Sequence, residues 1–109
     1  MSYPVDSLEP KLVWKYFDKI RQIPHGSKNE EALGKAIVSW AKELDFDARQ
    51  DSVGNVVIKI PASPGKESAP IVVLQGHIDM VCEKNSDKVF DFEKDPLVLQ
   101  RDGDWITAD

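Results

Sequence analysis

The sequence predicts an α/β fold, and three observations carry the expectation. Apolar residues recur at helical spacing through two stretches between Ser7 and Leu44. A β-branched run, Val56-Val57-Ile58-Lys59-Ile60, follows the turn-like Asp51-Ser52-Val53-Gly54-Asn55. A second apolar run, Ile71-Val72-Val73-Leu74-Gln75, shows no alternation, as expected of a strand covered on both faces. The order is therefore helix, helix, strand pair, loop, central strand, hairpin.

The first helix is expected over Ser7 to Ile23, with Leu12, Val13, Tyr16, Phe17 and Ile20 on one face. Pro10 suits its first turn, and Pro24 ends the pattern. The second helix is expected to start at Ser27-Lys28-Asn29-Glu30, which has the spacing of a capping box. Leu33, Ile37, Trp40, Ala41 and Leu44 continue it as an apolar stripe, and Trp14 and Trp40 read as core packing. Phe46 to Gln50 and Val56 to Ile60 are expected to pair antiparallel. Pro61 to Pro70, rich in Pro, Ser and Gly, reads as a surface loop. Ile71 to Gln75 is placed centrally in a sheet flanked by helices. Leu97 to Arg101 and Trp105 to Ala108 form a hairpin around Asp102-Gly103. That hairpin has no helix after it, which suggests a fold continuing past Asp109.

With 109 residues the chain makes one domain or part of one. A net charge of -5 and the lack of a basic stripe argue against nucleic acid as a partner. No apolar run approaches the length of a membrane span. The single cysteine, Cys82, rules out an intrachain disulfide and, with no signal peptide visible, favours a cytoplasmic setting.

The chemistry concentrates at Gln75-Gly76-His77-Ile78-Asp79-Met80-Val81. Residues at i and i+2 of an extended segment face one side, about 6.5–7 Å apart along it. His77 and Asp79 thus share a face where an apolar strand ends, the place at which open α/β sheets form their sites. A neutral imidazole binds a metal through one nitrogen, and a carboxylate commonly takes the proton on the other. The same spacing also suits a structural histidine. One histidine and one aspartate do not complete a catalytic zinc centre, which takes more protein ligands.

Leu74 to Val81 resembles the first metal motif of the zinc aminopeptidase/carboxypeptidase family that includes carboxypeptidase G, peptidase T and aminoacylase. Within it the chain is similar to the aminoacyl-histidine dipeptidases. Val13 to Phe17, Ile23 to Glu31, Asp51 to Val56, and His77 to Lys84 with Asp91-Phe92 and Asp95-Pro96 carry that likeness. It runs from about Leu8 to Asp109. The resemblance implies that His77 is a metal ligand and that Asp79 is the catalytic-site carboxylate orienting it. It implies a three-layer α/β/α catalytic domain with a mixed sheet, of which residues 1–109 are the incomplete N-terminal portion, without the lid domain. It implies two divalent metal ions, zinc with cobalt or manganese possible, a homodimer, and hydrolysis of dipeptides such as β-alanyl-histidine. The remaining ligands and the general base are expected beyond Asp109, so the chain alone is expected to be inactive. Two alternatives stand beside this: another peptidase or amidohydrolase of the family, or a non-catalytic truncated module.

Other polar residues read as structural. His25 is expected to pack in its loop, and Cys82 to be a partly buried thiol. Glu83, Asp87, Asp91, Glu93 and Asp95 read as a solvated acidic face, and Asp102, Asp104 and Asp109 as turn and end residues.

Overall fold

The computed structural model describes residues 4–109. Helix α1 spans Lys11–Arg21 and helix α2 spans Glu31–Glu43. Strands β1 (Asp47–Gln50) and β2 (Val56–Lys59) form one antiparallel pair, and β3 (Leu99–Asp102) and β4 (Trp105–Ala108) form another. The α/β class, both helices and both strand pairs agree with expectation.

Both helix starts differ from it. Pro10 precedes the first turn of α1 as an extended N-cap, and the Lys11 amide donates to Glu9 Oε2. Helix α2 begins after Glu30, with no side-chain cap. Glu30 Oε1 accepts from the Lys28 amide rather than from Ser27, so the expected capping box does not form. The other end of α2 is closed by backbone chemistry. The Asp45 amide donates to Lys42 O and the Phe46 amide to Ala41 O, with Asp45 at φ 62°. This is a Schellman arrangement, with Asp where Gly is commonest.

Helix α2 packs against the β1–β2 hairpin. Leu33, Gly34 and Ala41 are its buried face, and Ala48 of β1 is buried as well. Leu33 is the one fully buried large side chain among the described residues. Its replacement by alanine is expected to cost about 2–5 kcal/mol, through lost burial and a cavity. Chemical denaturation of the two chains measures the difference.

Helix α1 has no buried residue. Leu12, Val13 and Phe17 remain exposed, while Tyr16 meets Trp40 of α2 at a ring distance of 6.0 Å. Lys19 lies 5.4 Å from the Tyr16 ring and 5.1 Å from the Trp40 ring, a cation–π arrangement joining the helices. Trp14 and Trp40 are thus half-buried contacts rather than core. The far end of α1 is tied to the β3 entry. Arg21 donates to Leu97 O at 2.9 Å, and the Leu97 amide donates back to Arg21 O.

Two features depart from the expected sheet. Residues 71–75 pair with no strand, and Ile71, Val72, Val73 and Leu74 are 79–94% exposed. The two hairpins also stay separate instead of joining in a mixed sheet. A central strand needs neighbours on both edges and cover on both faces, and the described residues provide neither. The radius of gyration, 16.6 Å, exceeds the roughly 13 Å of a compact domain of this length. In the β3–β4 hairpin, Asp102 pairs with Trp105, so the turn centres on Gly103-Asp104, one residue later than expected. Gly103, at φ 59°, holds the first central position, where a type II′ turn requires positive φ.

Candidate active site

The segment bearing His77 and Asp79 is held by a short parallel bridge to the α1–α2 connection, Gly26 to Met80. The Met80 amide donates to His25 O at 3.0 Å, and the Ser27 amide donates to Met80 O at 3.1 Å. Gly26 is buried, and a Cβ at that position would collide with Cys82 Sγ. Glycine leaves room there for the Cys82 thiol beside the bridge.

The bridge brings three side chains into line. His77 Nδ1 lies 2.8 Å from Asp79 Oδ1, and Ser27 Oγ donates to Asp79 Oδ2 at 2.7 Å. Ser27 first, then His77, holds the Asp79 carboxyl below its ordinary pKa, so it is ionised at neutral pH. An ionised carboxylate only accepts, so Nδ1 carries the proton of the neutral ring. Nε2 is then the nitrogen with a lone pair to offer. The His77 side chain is 81% exposed, and it borders an open groove of about 880 Å³ shared with Glu30, Asp51, Asn55 and Gln75. Across the groove, Asp51 braces the β1–β2 turn. It accepts from the amides of Val53 and Asn55 and from the Asn55 side chain.

The structure therefore pairs the two expected site residues and adds Ser27. Local sequence gave no sign of Ser27's part, because its partner lies 52 positions away and its own neighbourhood looks like a helix cap. His25 packs in its loop, with Nδ1 2.7 Å from Ile23 O. Cys82 is exposed rather than partly buried, because its segment runs along the surface beyond the bridge. The acidic residues from Glu83 to Asp95 are exposed, and Asp91 and Asp95 brace a turn through backbone amides. Asp109 pairs with Lys88 at 2.9 Å.

Among the described residues, no group of three or more His, Cys, Asp or Glu side chains is placed to hold a metal ion. His77 fits as a single ligand with its orienting carboxylate. Among the described residues the side chains near it do not make up a whole metal centre. No described helix is long and apolar enough to cross a membrane.

No family model matches the chain. It is 48% identical over 104 residues to the cytosol non-specific dipeptidase of Escherichia coli (strain K12), across 95% of this chain and 21% of that protein. Its backbone matches the crystal structure of aminoacylhistidine dipeptidase from Vibrio alginolyticus with a TM-score of 0.92 and 53% identity, across 96% of this chain and 21% of that one. The chain thus spans about a fifth of the length of these relatives. At near one half identity over almost every residue, and on the same backbone path, the chain is similar to one stretch of these dipeptidases.

Proposed function

We propose that these residues are the N-terminal portion of the catalytic domain of a metal-dependent dipeptidase. Hydrolysis belongs to the larger protein, and the 109-residue chain alone is inactive. The observation that carries this reading is the 2.8 Å pairing of His77 Nδ1 with Asp79, which leaves Nε2 available beside an open groove. His77 is the metal ligand and Asp79 the carboxylate that sets its tautomer. The metal is zinc, in a centre of two divalent ions completed by residues outside this chain. Such a centre polarises a peptide carbonyl and activates water. In the larger protein the exposed run at residues 71–75 is a strand of a three-layer α/β/α domain, joined by a separate lid domain. The assembly is a cytoplasmic homodimer.

The substrate is a dipeptide, with a histidine C-terminal residue such as in β-alanyl-histidine as the first candidate. The E. coli relative is named a non-specific dipeptidase, which favours a wider range of dipeptides. A panel with and without C-terminal histidine separates the two. A full-length protein carrying this sequence is expected to hydrolyse members of the panel, to stop on chelation, and to recover with zinc. The purified 109-residue chain is expected to show no turnover. Hydrolysis indifferent to chelation, or metal-dependent turnover by the short chain, would overturn the proposal.

A further inference from the structure

We infer that Ser27 is a positioning residue of this site: it fixes the Asp79 carboxylate so that His77 presents Nε2. The inference rests on the proposed reading of His77 as a ligand and adds a residue to it.

Geometry is the first support. Asp79 uses its two oxygens separately, Oδ1 toward His77 at 2.8 Å and Oδ2 toward Ser27 at 2.7 Å. With only the histidine bond, the carboxylate could turn about its own axis, since terminal torsions of this kind are soft. A second bond at the opposite oxygen removes that freedom. The Ser27 hydroxyl has one proton and two acceptors nearby, Asp79 Oδ2 at 2.7 Å and Met80 O at 3.4 Å. The shorter bond, to a charged acceptor, takes it.

The backbone is the second support. Residues 26–29 form a turn closed by the Asn29 amide on Gly26 O at 2.8 Å. Lys28 sits at its third position with φ 70°, where a type II turn favours glycine. A lysine held in this region costs about 1–2 kcal/mol, so the surrounding contacts must hold the turn in place. Ser27 occupies the preceding position, and the Gly26–Met80 bridge sets it beside Asp79. The obvious structural role for Ser27 is absent, because α2 starts after Glu30 without a side-chain cap.

The test reads the His77 tautomer by nitrogen NMR of the whole chain with isotope-labelled histidine, well above the imidazole titration range. The chain has only His25 and His77, so His25→Ala assigns the signals. The native chain is expected to favour the Nδ1–H form of His77. Ser27→Ala is expected to lower the ratio of Nδ1–H to Nε2–H about twofold to tenfold, the range of one net hydrogen bond. Ser27→Thr, which keeps the hydroxyl, is expected to restore it. The amide signal of Met80 reports whether the backbone bridge persists in each variant, so misfolding is seen separately. If Ser27→Ala leaves the ratio unchanged while Asp79→Ala lowers it, the role of Ser27 is refuted and the His77–Asp79 pair stands. If neither substitution changes it, the pair itself fails and the inference falls with it.

Discussion

Replacing His77 by alanine in a full-length protein carrying this sequence is expected to weaken metal binding by more than about 100-fold. That exceeds the roughly 10- to 100-fold typical when a residue orienting a ligand is lost. The physical reason is the division of labour at the site. In the proposed site His77 would offer the lone pair on Nε2, and Asp79, 2.8 Å from Nδ1, would decide which nitrogen offers it. Asp79→Ala is therefore expected to fall within the 10- to 100-fold range, since the imidazole survives without its orienter. Dipeptide hydrolysis should fall with metal occupancy in both variants. His25→Ala serves as the control and should leave affinity unchanged, because that ring is engaged with Ile23 O in its own loop. Competitive metal titration reads all three. Unaltered metal affinity in His77→Ala would remove His77 from the ligand set.

The isolated chain is expected to self-associate weakly and in a concentration-dependent way. Ile71, Val72, Val73 and Leu74 are consecutive, exposed and unpaired, which is the profile of an unprotected strand edge. Burying each such side chain contributes about 1.5–3 kcal/mol. Four together are of the same order as the roughly 4–15 kcal/mol cost of association, so tight assembly is not expected from this run alone. Val57, Ile58 and Ile60 are also exposed and add to the apolar surface. Sedimentation at increasing concentration is expected to show larger species, and Val72→Lys with Leu74→Lys to return the chain toward monomer. A native chain that stays monomeric throughout would show that this run is not adhesive.

The distribution of successes along the chain follows the range of the forces involved. Helices α1 and α2 and both hairpins lay open in periodicity and turn residues, because i to i+4 packing and tight turns are local. The spacing of His77 and Asp79 placed them on one side of an extended segment, and the structure joins them by a direct hydrogen bond. Ser27 shows the opposite case. Its sequence neighbourhood carries the pattern of a helix cap, yet its hydroxyl is taken by a carboxylate far along the chain. The cap fails for a separate reason: α2 starts only after Glu30, so the first-turn amides lie beyond the position that Ser27 would cap. Leu12 and Val13 likewise have the pattern of a buried face and remain in solvent. Periodicity says which side of a helix is apolar, not whether anything covers it.

Residues 71–75 mark the same boundary most plainly. Their composition is that of a central strand, and no ladder or cover reaches them among the described residues. Residue chemistry alone was enough for the two helices, the two hairpins, the β3–β4 turn to within a residue and the placing of His77 and Asp79 on one side. The three-dimensional fold was needed to bring Ser27 to Asp79, to expose Cys82, and to leave the apolar run unpaired. Those outcomes depend on which distant backbones meet, and for this chain the decisive meeting is the contact of Gly26 with Met80.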